Sequence, residues 1–380
     1  MKKIQVLKDS KAILDVLNST KSKASSDMIC FYNSTINSIL TDPIFMNISI
    51  EDKIVHRGYA LSDTTKIFKN KIYNVDSHIE RIIKGITSIK LKPKFTNNEL
   101  KDIILYTASV ARNIEKESDI DLKLFYSAGL GGFSVQEDEN LHTFYVLAIK
   151  ADNSKRPNNG IQKEYTIKKS DIYNDEEESD KYNFENYKNN KNEIDTKNCV
   201  IVKDENSTNE ASKVKTDKFE KYSNFSHVKT TNYLVNCITN KLVKKKGGYL
   251  GIMCDENMNL LESPISNIVF VTKDDILIIP SFNKTLKGTT ISKCMTFVNN
   301  ELIPKNIIKE IKRKDVNIID LFEGKIKEVM FVGGDFIAPI LSINNYELSK
   351  EPGEISKLFQ NFLAEDKAKD ETLEVFKYEI

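Results

Sequence analysis

One low-complexity stretch limits how this chain can fold more than any other feature. Residues 152–225 include NDEEESDKYNFENYKNNKNEIDTKN, rich in Asn, Lys, Asp and Glu and poor in aliphatic side chains. Such a segment buries too little apolar surface to offset the entropy of ordering it, so much of it is expected to be disordered. One strand is expected to survive near IQKEYTIKK. The rest must fold as two parts, one on each side, and 380 residues suit two domains of ordinary size. The expected divisions are a helical extension over 1–27, a small α+β domain over 28–151, the insert over 152–225, and a larger domain over 226–380.

Both flanking parts mix strand-like and helix-like patterns without regular βαβ alternation, which reads as α+β. In the first part, ICFYNS, TKIFKNKIYNV, DLKLFYSAGLGGFSV and HTFYVLAIK read as strands, the last two joined by a turn. SHIERIIKGITSI carries Ile79, Ile82, Ile83 and Ile86 at helical spacing, and Ser77 with Glu80 reads as a capping box. Thr96 and Glu99 repeat that device ahead of a second helix. In the second part, TTNYLVNCITNKLVKKKGG reads as a helix with lysines in its last turn and glycines after it. YLGIMC, SNIVFVTKDDILIIP and EVMFVGG read as strands, while TTISKCMTFVNNELI and EISKLFQNFLAED read as helices.

Composition excludes some classes. Lys plus Arg number 56 and Asp plus Glu 55, a net charge of +1 that offers no global attraction to nucleic acid or anionic membrane. Five cysteines, none in a CxxC pair, argue against a disulfide framework or a zinc site; no metal is expected. No apolar run approaches the roughly 18 residues of a membrane span, and MKKIQVLKDSKAILDVL lacks the apolar core of a secretory signal. A cytoplasmic protein is expected.

Four features carry candidate chemistry. Lys229, in SHVKTTNYLVNC, sits among small and apolar neighbours in a chain whose lysines mostly stand in charged surroundings. A lysine amine in a protected place can form a Schiff base with an aldehyde cofactor. Glu262, in LLESPISNIVF, is a strand-end carboxylate that could keep a pyridinium nitrogen protonated. LKGTTISKC frees the backbone at Gly288 and opens a helix at Thr289 and Thr290, whose unpaired N–H groups suit a phosphate. Arg81 is one of few arginines, and a planar fork also suits phosphate. Each has an ordinary structural explanation when taken alone.

Their order and spacing resemble the fold-type IV pyridoxal-phosphate enzymes, the class IV aminotransferase family, from about Met28 to Asp366. The matching residues are Lys229, Asn232 and Leu234; Glu262 and Asn267; Leu286, Gly288, Thr289 and Thr290; and His78 with Arg81. The resemblance implies pyridoxal 5'-phosphate as cofactor, with a small-molecule amine as substrate. It implies a two-domain α+β / α/β fold and a homodimer. It assigns Lys229 the Schiff base and proton shuttle, and Glu262 the pyridine nitrogen. It assigns the phosphate to Arg81, Ser266, Asn267, Thr289 and Thr290, the ring face to Leu286, and the vicinity of the ring hydroxyl to Tyr233. The amides of Gly333 and Gly334 would face the substrate carboxylate, and Asp63, Thr64 and Thr65 would line the substrate side.

The family includes branched-chain and D-amino-acid aminotransferases and 4-amino-4-deoxychorismate lyase. D-alanine-type members trap the substrate carboxylate with an Arg and a His after the strand that here reads FYSAGLGGFSV, which has neither. TDPIFMNISIEDKIVHRGYALSDTT and SAGLGGF look most like plant-type members. The expectation is therefore a lyase releasing pyruvate and leaving 4-aminobenzoate for folate synthesis. D-amino-acid or branched-chain amino transfer, or an inactive scaffold of the same fold, are the alternatives.

Overall fold

The structure is a computed structural model and describes residues 4–20, 22–135, 138–152, 157–168, 225–369 and 373–375. The disorder expected within the insert lies largely outside them. The described residues fall into two compact units. The first draws on Met1–Asn153, Lys229–Thr231 and Lys369–Ile380, and the second on Ser154–Val228 and Asn232–Ala368. The three residues around Lys229 therefore group with the N-terminal part of the chain.

The first unit opens with helix α1 (Ser10–Ser19), capped by the Asp9 carboxylate. Its strands are β1 (Met28–Asn33), β2 (Ser38–Leu40), β3 (Ala60–Phe68), β4 (Lys71–Tyr73), β5 (Ile120–Ser127) and β6 (Thr143–Lys150). Strand β17 (Leu373–Val375) completes an antiparallel sheet in the order β17-β4-β3-β5-β6-β1-β2. Strands β5 and β6 pair from Ile120↔Lys150 to Ser127↔Thr143, but residues 128–142 connect them, more than the expected turn. Between β2 and β3 lies the short helix α2 (Lys53–His56).

Helices α3 (Val75–Ser88) and α4 (Asn97–Ile114) bury Ile79, Ile82 and Ile86, and Leu100, Ile104, Leu105 and Ala108. That is the apolar stripe that a 3.6-residue period predicts. The capping box of Thr96 and Glu99 is formed. The one expected at Ser77 and Glu80 is not, because α3 starts earlier. Buried Val75 begins the helix, Asn74 takes the N-cap with a φ of 57°, and the Ser77 hydroxyl donates to the Asn74 side chain at 2.8 Å. Asn tolerates this left-handed backbone better than most residues.

The second unit holds β7 (Thr166–Lys168), helix α5 (Leu234–Lys245), β8 (Ile252–Cys254), β9 (Leu260–Glu262), β10 (Asn267–Thr272) and β11 (Ile276–Ile279). Helix α6 (Thr289–Phe297) runs on into a π-helical turn, Val298–Leu302. Then follow β12 (Glu310–Arg313), α7 (Ile318–Phe322), β13 (Ile326–Gly333), β14 (Phe336–Ile340), a small hairpin of β15 (Ser342–Ile343) and β16 (Tyr346–Glu347), and α8 (Glu354–Ala368). The main sheet runs β12-β11-β10-β9-β8-β7, with β13 and β14 joining through β10. It is mixed, since β7 pairs with β8 and β11 with β12 in parallel.

Alternation along these strands divides the core in two. Ile268, Phe270, Ile278 and Phe331 pack with Ile318, Leu321 and Phe322 of α7 on one face. Val269, Val271, Leu277 and Val332 pack with Ile291 and Cys294 of α6 and Phe359 and Leu363 of α8 on the other. Burial of both faces explains why IVFV and ILII are continuously apolar.

The surviving strand near IQKEYTIKK is β7, and Glu164 anchors it. Its buried carboxylate accepts the backbone N–H groups of Leu250 and Gly251 at 2.9 Å and of Tyr165 at 3.1 Å. Burial pushes this carboxyl up, and the backbone donors work against that rise. Among the described residues no helix is long and apolar enough to cross a membrane.

Candidate active site

In the first unit, the Lys229 segment adds itself to the edge of β3. Lys229 C=O accepts the Ser62 N–H at 2.8 Å, Thr230 bridges Leu61, and the Thr231 N–H donates to Ala60 C=O at 3.0 Å. Ser127 of β5 is the register partner of Ala60 on its other side. Lys229 is half-buried.

Further along β3, Asp63 is buried and organises a cluster with α3. Its two oxygens accept Arg81 Nε at 2.7 Å and Arg81 Nη2 at 2.5 Å, and His78 Nδ1 lies 2.8 Å from Oδ1. The spacing of His78 and Arg81 puts both on one face of α3. Burial alone would raise the Asp63 carboxyl. The charges of Arg81 and His78, and hydrogen bonds from both, outweigh it and hold the group well below the usual carboxylate range. An ionised carboxylate only accepts, so the hydrogen of His78 sits on Nδ1.

Both Asp63 oxygens are engaged in orienting Arg81 and His78. The Thr64 N–H donates to Asp63 at 2.7 Å, and buried Thr65 donates its hydroxyl to Tyr73 C=O at 2.7 Å, so that hydroxyl too serves the fold. Sequence reasoning missed the first of these pairings, since residues 63 and 81 are distant in the chain and lie on different elements.

In the second unit, the motif residues converge on one turn. Glu262 and Asn267 are register partners across the β9–β10 pair. From there both reach the segment before α6. Leu286 N–H donates to Glu262 Oε2 at 3.1 Å, and Asn267 Nδ2 donates to Leu286 C=O at 2.6 Å. The spacing Glu-x-x-x-x-Asn is thus the length of a hairpin that offers two side chains to the backbone N–H and C=O of one residue, Leu286. Gly288 is required beside it, because a Cβ there would meet Asn267 Oδ1 at 2.4 Å. Gly288 is also the N-cap of α6 and provides no side-chain cap. The first N–H groups of α6 are the unpaired, positive end of a helix dipole.

Ser266 is buried and held by Ser263, with hydroxyl oxygens 2.7 Å apart. Gly333 packs directly on it: a Cβ would fall 2.9 Å from Ser266 Cα. Gly334 and Asp335 both have positive φ, 55° and 63°, as the tight hairpin between β13 and β14 demands. Asp335 N–H donates to the Thr290 hydroxyl at 3.3 Å, linking this hairpin to the start of α6. Ser266, Asn267, Leu286, Gly288, Thr289, Thr290 and Gly333 therefore belong to one connected region. Tyr233, half-buried, stands at the N-cap of α5. Among the described residues, no group of three or more His, Cys, Asp or Glu is arranged to hold a metal ion.

The residues of the second unit suit a phosphorylated pyridine: an uncapped helix start with a glycine at closest approach and a strand-end carboxylate.

Comparison with known proteins agrees. The amino-transferase class IV profile matches residues 60–191 and 182–343. The chain is 25% identical over 348 residues to a chloroplastic D-amino-acid transaminase of Arabidopsis thaliana, covering 90% of this chain and 78% of that protein. Branched-chain aminotransferases of Escherichia coli and Thermoproteus uzoniensis share its fold, with TM-scores of 0.66 and 0.65 at 14% and 13% identity. Each covers 92% of this chain, and 100% and 99% of their own chains. A hypothetical aminotransferase of Mycobacterium tuberculosis, solved in its PLP-bound form, matches with a TM-score of 0.62 at 15% identity over 88% of this chain and 97% of its own. The chain belongs to the amino-transferase class IV family.

Proposed function

We propose that this protein transfers the amino group of a small amino acid, of D configuration, to a 2-oxo acid. Its cofactor is pyridoxal 5'-phosphate, which, when bound, supplies an electron sink for the bond-breaking step. The observation that carries the reading is the convergence of Glu262 and Asn267 on the Leu286–Gly288 turn at the open N-terminus of α6. The likeness to the Arabidopsis D-amino-acid transaminase over most of the chain supports the choice of donor.

Each residue then has a task. The α6 N–H groups, with the hydroxyls of Thr289 and Thr290, bind the phosphate, and Arg81 adds charge. Asp63 and His78 fix the plane of the Arg81 fork. Glu262 holds a proton on the ring nitrogen, and Leu286 and Tyr233 border the ring. Lys229 holds the cofactor and moves a proton to and from the amine-bearing carbon. Ser266 and Asn267 shape the phosphate side, and the Gly333–Gly334 amides lie toward the substrate. The working unit is a homodimer.

A second reading, elimination of pyruvate from aminodeoxychorismate, rests on the end of β5. The sequence there, FYSAGLGGFSV, holds no arginine or histidine, and the hydroxyl of buried Ser127 is committed to Asp52. The test is direct. Protein loaded with pyridoxal 5'-phosphate is expected to show a visible absorption band that Lys229→Ala abolishes. With D-alanine and 2-oxoglutarate it is expected to give a higher kcat/KM than with aminodeoxychorismate. Faster release of pyruvate with 4-aminobenzoate would replace the first reading with the second.

A further inference from the structure

Lys53 is fully buried, which is rare for a lysine without a charge partner. Its Nζ has one acceptor, the Leu130 C=O at 3.4 Å, beyond the ordinary range for a good N–H···O bond. Among the described residues no carboxylate oxygen lies within 4.0 Å of it. The adjacent acid is committed elsewhere. Both Asp52 oxygens accept hydrogen bonds, from Ser127, the Ile54 N–H, Thr143 at 2.7 Å and Tyr145 at 2.6 Å. A buried ammonium with so little compensation is costly, and an isolated one is retained only where something offsets the cost.

The loop that covers Lys53 follows β5. Lys53 N–H donates to Gly129 C=O at 3.0 Å, and Arg57 Nη2 donates to Phe133 C=O. His56 lies against the Phe133 ring at 5.0 Å between centroids. Gly129, Gly131 and Gly132 all have positive φ. A Cβ on Gly131 would sit 3.2 Å from Nζ, so a glycine keeps the space beside the ammonium open. β5 ends one strand away from the Lys229 segment, since Ser127 and Thr231 flank Ala60. The separation is two strand spacings, about 10 Å.

We propose that Lys53 binds the carboxylate of the substrate, the 129–133 loop shifting at its glycines to admit it. This rests on the amino-transfer reading and names the cation that the end of β5 does not itself provide. Lys53 is thereby a specificity-determining residue.

The experiment uses the full-length protein loaded with pyridoxal 5'-phosphate, with Lys53→Met and Lys53→Arg. Ligand-observed NMR measures binding of propanoate and of its neutral isostere propanamide, with and without cofactor. Steady-state kinetics give KM and kcat for D-alanine. Lys53→Met is expected to weaken propanoate and raise the KM of D-alanine by roughly 10- to 100-fold, the range for a hydrogen bond to a charged group. Propanamide binding and kcat are expected to change little, the melting temperature to hold or rise, and Lys53→Arg to recover most of the loss. Unchanged propanoate binding in a folded Lys53→Met protein overturns the proposal. So does equal loss of propanoate and propanamide, or wild-type protein that does not prefer propanoate. If Lys53→Met does not fold, Lys53→Gln undergoes the same comparison. Absence of any amino transfer by wild-type protein would count against the amino-transfer reading, while the propanoate arm would still decide the role of Lys53.

Discussion

Replacing Gly288 with alanine isolates one contact at the start of α6. The residue has φ −68° and ψ 149°, an extended conformation that alanine adopts without strain. Any cost therefore comes from the added methyl group. That carbon would stand 2.4 Å from Asn267 Oδ1, whereas ordinary contact begins at 3.4 Å, so Asn267 must retreat by about 1 Å (3.4 − 2.4). Asn267 is buried, and its Nδ2 bond to Leu286 C=O is 2.6 Å. Losing that bond in a buried setting costs about 1–3 kcal/mol, and the overpacking adds about 1–3 kcal/mol. A loss of about 3 kcal/mol is expected, roughly 100-fold in the folding equilibrium. Urea denaturation of the cofactor-free protein measures it as a lower midpoint at unchanged slope. Asn267→Ala removes the colliding oxygen, so Gly288→Ala should cost at least about 1.5 kcal/mol less in that background. An equal cost in both backgrounds, or a cost under about 1 kcal/mol in the wild type, would show the contact to be wrongly assigned.

Other outcomes follow from the same geometry. Asp63→Asn leaves Arg81 and His78 without their buried counter-charge and should cost about 3 kcal/mol at pH 7, read by chemical denaturation. Because the native Asp63 carboxyl is held below its ordinary range, its contribution is present above about pH 4 and is lost as the pH falls below that. The gap between wild type and Asp63→Asn should therefore narrow in acid, and a constant gap from pH 7 to 3 would contradict the assignment. Glu164→Ala strands the N–H groups of Leu250, Gly251 and Tyr165, and should lower stability by about 2–4 kcal/mol and speed amide exchange at those positions; exchange at the wild-type rate would refute the anchor. Burial pushes the Cys30 thiol up to about 12, while Cys237 is exposed. Iodoacetamide at pH 8 should therefore modify Cys237 long before Cys30, as peptide mass spectrometry would record, and comparable rates would refute the burial.

The sequence made the motif residues readable because local chain geometry sets their spacing. Glu262 and Asn267 must be five apart to face each other across a hairpin, and Gly288 must precede a helix that starts at Thr289. Periodicity likewise exposed the faces of α3 and α4. What stayed hidden depends on contacts between distant residues. The pairing of Asp63 with Arg81 needs α3 to fold onto β3, and nothing in RGYALSDTT indicates it. Lys53 was indistinguishable among so many lysines, because burial rather than residue type sets it apart. The start of α3 was misread because Ser77 and Glu80 match a capping pattern, while the burial of Val75 decides where the helix begins.

The sheet of the first unit is stitched from three separate stretches of polypeptide: the strands before residue 151, the Lys229–Thr231 thread at the edge of β3, and β17 near the C-terminus. A ribosome delivers the second and third of these only after most of the chain has been made. Until then the Ala60–Ser62 edge lacks the partner it has in the finished fold, and the nascent N-terminal part remains an unfinished sheet awaiting residues 229–231.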